Sequence, residues 1–257
     1  DEAARALQQA LAGPLPPAER AAVLVDQGIL ALTQQREEEA DAAWRAAAAL
    51  VPGDAETALA VELNRLRLPA ADARLPRLTA ALARTAQLPD AALRTRHVLN
   101  IAEQAAATDE PAGRELARRA YAQGLAGARA LASLEGARLA AEAHDGLAAL
   151  HESDGFLEQA LGEVELGIAE ARRAQARERL MSLEGRAGRL LARLADPERA
   201  LAAYRRAVEH VEAVRSDIPM DGLSERRLFF ANPRGRLVAY DFPESVHEFY
   251  PQLEAEY

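Results

Sequence analysis

From residue 2 to about residue 216, apolar side chains recur every three or four positions, the spacing of helices that bury one face. Residues 2–12 are the first such segment, and Gly13 with the prolines that follow it ends that helix. Ala, Leu, Arg and Glu dominate the composition, and all of them favour helices. The pattern therefore predicts helices nearly throughout this region.

The best-defined pair of predicted helices covers about 18–33 and 36–51. After it, Pro52-Gly53-Asp54 provides a turn and an N-cap for the next helix. Within this pair, six residues have sizes that suit two closely crossing helices. They are Leu24, Gly28, Ala40, Trp44, Ala47 and Pro52. Small residues allow the close approach, large ones fill the space beside it, and the proline stops the second helix.

Three further helices are predicted at about 56–68, 71–88 and 90–108, although their pairing cannot be assigned. The packing positions of a second helix then recur at intervals of 43 and 40 residues. They are Ala117, Tyr121 and Gly124, then Ala160, Val164 and Gly167, then Ala200, Tyr204 and Ala207. Ala148 and Gly188 precede the last two sets by the same twelve residues that separate Gly28 from Ala40. These recurrences predict a series of similar helical hairpins.

These positions resemble the tetratricopeptide repeat, a helix–turn–helix unit of about 34 residues. The resemblance covers about 18–216 and implies an all-α superhelix of helical hairpins in domain 1–216. In such repeats the first helix of each hairpin lines a concave groove. Periods above 34 predict hairpins longer than the minimal unit.

The character of the sequence changes in 217–257, which contains seven of the eleven aromatic residues of the chain. Asn232-Pro233-Arg234-Gly235 separates two apolar segments, which predicts a β-hairpin at about 226–241. A helix is predicted at 244–256. We interpret this segment as a cap on the end of the helical array, with a docking surface as the alternative.

The segment from Tyr204 to Phe230, with HVEAVRSDIP at 210–219, resembles the last repeat and exit segment of bacterial proteins that join such repeats to a caspase-like CHAT protease domain. PESVHEFYPQL at 243–253 contributes to the resemblance. It implies that this chain is the regulatory or sensing part of such a protease, acting in cis or in trans. The chain contains no cysteine, so it cannot supply the thiolate nucleophile itself.

The formal net charge of −9 argues against nucleic acid as the main partner, because no basic excess exists to displace counterions. No apolar run is long enough to cross a bilayer, and the first residues lack the basic start of a signal peptide. The compartment is not determined, although the cytoplasm is favoured over the periplasm.

Candidate chemistry is sparse, and we predict neither an enzyme nor a metal or cofactor site. His144 and His151 are two helical turns apart, but a metal site needs closer spacing or a third ligand, so we interpret both as structural. The glutamates at 37–39 favour the positive end of a helix dipole and need no catalytic role. No phosphate-binding loop or nucleophile elbow is present.

A binding role has more support. Arg186, Arg189 and Arg193 form a stripe on one predicted helix that could grip an acidic peptide by bidentate pairing. The other interpretation of this stripe, which we favour, is a solvated face balanced by Glu184 and nearby acids. Phe229 and Phe230 are candidate partner contacts in the tail.

Near Gly28 the predicted groove positions are Ala22, Val25 and Ile29, which suggests an apolar or helical ligand there. We therefore expect a protein-interaction scaffold, either a CHAT regulatory region or a freestanding adaptor.

Overall fold

The computed structural model describes residues 2–68, 73–108, 110–216, 227–231 and 237–241. Eleven α-helices lie within these ranges. They are α1 (Glu2–Ala12), α2 (Pro17–Thr33), α3 (Glu37–Leu50), α4 (Ala55–Arg65), α5 (Arg74–Thr85), α6 (Ala91–Ala106), α7 (Pro111–Ala130), α8 (Leu134–Ser153), α9 (Leu157–Arg173), α10 (Arg177–Arg193) and α11 (Pro197–Ser216). The prediction of an all-α repeat region is confirmed at this level.

Two short strands, β1 (Arg227–Ala231) and β2 (Leu237–Asp241), pair antiparallel within the predicted hairpin region. Phe229 pairs with Ala239, and Phe230 pairs with Val238. The predicted helix at 244–256 lies outside the described residues.

The helices pack mainly with their neighbours in sequence. The most extensive contacts join α2 with α3, α6 with α7, α8 with α9, and α10 with α11. Each of these pairs is a helical hairpin. The sequence did not show which helix pairs with the one predicted at 90–108, and the structure shows that this helix, α6, pairs with α7. The first helices of these hairpins, together with α4, also form a series of contacts in the order α2, α4, α6, α8 and α10. We call this series the first-helix row.

Most of the predicted packing positions are buried between the helices, whereas Leu24 is only partly buried and Pro52 is exposed. Trp44 is completely buried against Gly28, where an added Cβ would overlap its indole ring. Tyr204 lies against Gly188 in the same way, since an added Cβ there would be 2.6 Å from the tyrosine ring. Tyr121 instead contacts Gly146 of α8, in the next hairpin.

Four of the interhelical turns have the same backbone conformation. The residues with positive φ are Gln35, Gly155, Gln175 and Ala195. After each of them, the next amide donates to a carbonyl five residues earlier, as in Arg36 N to Ala31 O at 2.9 Å and Asp196 N to Leu191 O at 3.0 Å. This bond defines a Schellman turn, which satisfies carbonyl groups at the end of a helix.

The starts of several helices are capped by side chains, as the sequence predicts for Asp54. Asp54 accepts a bond from the Thr57 amide at 2.7 Å, and Asp196 accepts from the Arg199 amide at 3.2 Å. Among the helices that the structure describes, none is both long and apolar enough to span a membrane.

The core is divided into three apolar clusters along the array. One joins α2, α3 and α4, a second extends from α4 to α8, and a third extends from α8 to α11. Leu139 of α8 belongs to the second cluster, whereas Ala141 and Ala148 of α8 belong to the third. Helices α4 and α8 therefore each contribute to two cores.

Candidate interaction site on helices α8 and α10

The predicted arginine stripe lies on α10 in the first-helix row, where it faces acidic side chains of α8. Arg186 Nη1 donates to Glu152 Oε2 at 3.0 Å, and its Nε lies 3.0 Å from Asp145 Oδ1 without the angle of a hydrogen bond. Arg193 Nη1 donates to Glu152 Oε1 at 2.8 Å. Arg189 is partly exposed and is engaged in an interaction within the protein.

The structure adds Arg179, which was not singled out from the sequence. Its Nη1 donates to Asp145 Oδ2 at 3.0 Å. The result is an alternating chain of charges that we call the ion-pair ladder. Its members are Arg179, Asp145, Arg186, Glu152 and Arg193.

The ladder has a regular geometry because its arginines recur every seven residues on α10 and its carboxylates are seven residues apart on α8. Seven residues are about two helical turns, so each set projects from one face of its helix. The arginines extend over about 21 Å of α10 at the usual helical rise.

Exposure increases along the ladder. The exposed fraction of the side chain is 12% for Arg179, 20% for Arg186 and 49% for Arg193. Asp145 and Glu152 are exposed by 9% and 22%. The Arg179 end is therefore a desolvated ion pair that tolerates no loss of one partner, while Arg193 is open to solvent.

Nearby acids, Asp145 and Glu152, balance this stripe as the solvated-face interpretation expects, but Glu184 does not, so that part of the expectation is wrong. Its side chain is completely buried and pairs instead with Arg172 of α9 and Arg206 of α11. Glu184 is four residues before Gly188, the residue that packs against Tyr204. That spacing places it on the same buried side of α10, a signal that was present in the sequence.

The two histidines singled out on α8 have different surroundings. His144 is buried, and its Nδ1 lies 2.6 Å from Glu163 Oε2 of α9. His151 is partly exposed near the end of α8. Within the described residues, no group of three His, Asp or Glu side chains could hold a metal ion.

The remaining candidate binding residues are the apolar positions near Gly28 and two phenylalanines of β1. Of the three apolar positions near Gly28, Ala22 is exposed and Val25 is partly exposed, whereas Ile29 belongs to the buried cluster of α2, α3 and α4. Only two of these three apolar positions are therefore open to solvent, fewer than expected. Phe229 and Phe230 lie in β1, but their side chains are outside what the structure describes.

Comparison with known proteins does not supply a function. No protein-family model matches the chain, and no curated protein matches it.

Proposed function

We propose that this chain is a protein-interaction scaffold, built as a superhelix of tetratricopeptide-like hairpins with the β1–β2 ribbon and the following segment as its cap. The first-helix row forms the inner face of the superhelix. Support comes from the contacts between successive first helices, because the inner row of a curved array is the more closely spaced one.

The observation that carries the proposal is the ion-pair ladder on this row. Three arginines face two carboxylates, so the ladder retains one net positive charge. Its most exposed member is Arg193, which shares Glu152 with Arg186. A carboxylate from a partner can pair with Arg193 while the ladder holds the other guanidinium groups in place.

The partner class is therefore a protein or peptide segment that presents acidic side chains to α10. Arg193 is the residue that pairs with it, and Arg186 and Arg189 lie beside Arg193 on the same helix. Because Arg193 is half-exposed, salt weakens this contact.

Peptide display on the intact chain tests this proposal. A library of randomised peptides is selected for binding, and the affinities of enriched peptides are measured for the wild type, Arg193→Glu and Arg45→Glu. Arg45 is a matched control because it is an exposed arginine on α3, paired with Asp41 at 3.0 Å. Acidic peptides that lose about tenfold in affinity only with Arg193→Glu support the site. Enriched peptides that bind both variants equally would place the interaction elsewhere.

The narrower form of the proposal is a regulatory region of a CHAT caspase-like protease, in cis or in trans. It rests on the exit-segment resemblance, and HVEAVRS at 210–216 continues α11 without a break. The alternative is a freestanding adaptor that uses the same inner face. A protease encoded in the same or a neighbouring reading frame, whose peptide cleavage changes with Arg193→Glu, supports the narrower form. Cleavage that is insensitive to the chain favours the adaptor.

A further inference from the structure

The last two hairpins contain a buried carboxylate that is held by two arginines. Glu184 of α10 has no exposed side-chain surface. Arg172 Nη2 donates to its Oε1 at 2.9 Å, Arg206 Nε donates to its Oε2 at 2.9 Å, and Arg206 Nη2 forms an ion-pair contact with the same oxygen at 2.8 Å. These bonds tie α9, α10 and α11 together, and we call the three residues the arginine clamp.

The two arginines of the clamp both pair with the buried Glu184, and both also have side-chain surface that is exposed to solvent. Their side chains are 57% exposed for Arg172 and 42% exposed for Arg206. The bonds to Glu184 use only part of the five N–H donors of each guanidinium group. Each guanidinium group thus keeps donors beyond its bonds to Glu184 on a side chain that is partly open to solvent. Because Glu184 already holds both groups in place, binding an anion there costs less entropy.

The charges near the clamp leave its outer surface positive. His210 follows Arg206 by one turn of α11, and the charges that act on it are those of Glu184, Arg172, Glu209 and Arg177. Because Glu184 is enclosed, Glu209 is the only carboxylate of this set that solvent meets. Burial lowers the pKa of His210, so the ring adds no charge at neutral pH.

An acidic segment of the same chain lies within reach. Residues 242–257 contain four glutamates and no arginine or lysine. Pairing of Arg227 with Asp241 brings the start of this segment beside the start of β1. Only about ten residues then separate it from the end of α11 at Ser216, a span of up to about 35 Å. The clamp residue Arg206 is about 15 Å from that helix end.

We propose that the arginine clamp binds the acidic segment 242–257 of its own chain, with glutamate carboxylates pairing to Arg172 and Arg206. The cap then docks on α9 and α11, away from the ion-pair ladder. This inference rests on the proposed cap and gives it a docking site. It does not require that a partner bind the first-helix row.

A competition experiment with the full chain tests the inference. The probe is a fluorescent peptide with the sequence of residues 242–257, and its binding is measured by fluorescence anisotropy. A variant carrying Glu244→Gln, Glu248→Gln, Glu254→Gln and Glu256→Gln frees the clamp from its own segment. This variant is expected to bind the probe at least about tenfold more tightly than the wild type, because a tethered competitor acts at millimolar effective concentration.

Substitutions at the clamp in the glutamine background complete the test. Arg172→Ala and Arg206→Ala are each expected to reduce probe binding by about tenfold. Arg199→Ala is the matched control, since Arg199 is an exposed arginine of α11 that pairs with Glu165 at 3.0 Å. Equal binding by the wild type and the glutamine variant, or no binding by either, would overturn the inference. Thermal unfolding of each variant separates loss of the site from loss of the fold, and the Arg193→Glu result does not affect the outcome.

Discussion

At the scale of single residues, Trp44 carries the packing of the first hairpin. Its side chain is completely buried, and its Nε1 donates to the carbonyl of Val25 at 3.2 Å. We expect Trp44→Ala to lower the free energy of unfolding by about 3–5 kcal/mol, because it leaves a cavity against Gly28. Urea denaturation measures this loss. Trp44→Phe, which keeps a ring, should lose less, and a loss below about 1 kcal/mol for Trp44→Ala would contradict the packing.

Because of His97, the free energy of unfolding should decrease as the pH falls below neutral. Burial, with a smaller contribution from Arg96, lowers the pKa of His97 to about 4. The unfolded chain binds the proton near pH 6.5, so the stability from the neutral ring is present above that pH and is lost as pH falls towards 4. The expected loss is about 3 kcal/mol. Unfolding free energies at pH 7 and pH 4 should differ more for the wild type than for His97→Leu. An identical pH dependence in both proteins would contradict this assignment.

At the scale of helices and turns, the four Schellman turns differ in residue type but not in conformation. Gly155 suits the positive φ, whereas Gln35, Gln175 and Ala195 adopt it at a steric cost. We expect Gln35→Gly, Gln175→Gly and Ala195→Gly each to raise the free energy of unfolding by about 0.5–1 kcal/mol. Gly155→Ala should lower it by a similar amount.

Chemical denaturation of the single variants measures these changes. Ala46→Gly is the control, because Ala46 is exposed within α3 and a glycine there should lower stability by about 1 kcal/mol. If the turn glycines also lower stability, the positive φ values do not strain the chain.

The positions of the helices could be predicted because their signals are local. Pro17 and Pro197 start helices, and Asp54 caps one, within a few residues of where they act in sequence. The ion-pair ladder could be predicted only in part. Arg186 and Arg193 share a visible stripe, but Asp145 precedes Arg179 by 34 residues, and their contact depends on how α8 and α10 are aligned. The spacing of residues within one helix cannot predict how that helix is aligned with another.

At the scale of the whole molecule, the three cores are unequal. The cluster of α2, α3 and α4 is the smallest and lies at one end, whereas the cluster from α4 to α8 is the largest. We expect native-state hydrogen exchange in low denaturant to show α2 and α3 opening at a lower free energy than α7 and α8. Mass spectrometry of proteolytic fragments locates the exchanging amides. Simultaneous opening of both regions would mean that the cores form one cooperative unit.

Pairing between residues 54 and 108 could not be predicted, and the structure shows why. Helices α4 and α5 are short, and α5 contacts α6 more extensively than it contacts α4. Helices α4 and α5 therefore do not form the tight hairpin that the alternation of first and second helices would require at this point. Trp44 and Tyr204, by contrast, have glycines sixteen residues earlier, and this fixed spacing identified their hairpins correctly.

The shared turn conformation has a consequence for how this chain can change over evolutionary time. Each of these four turns is closed by the same backbone hydrogen bond, donated by the amide of Arg36, Phe156, Ala176 or Asp196. This bond joins residues close in sequence, so such a joint does not depend on how long the two adjoining helices are. Insertion or deletion of about one turn within a helix therefore leaves the joints at its ends intact. Helix α8 has 20 residues and α10 has 17, and this difference of three residues equals the difference between the periods of 43 and 40 residues.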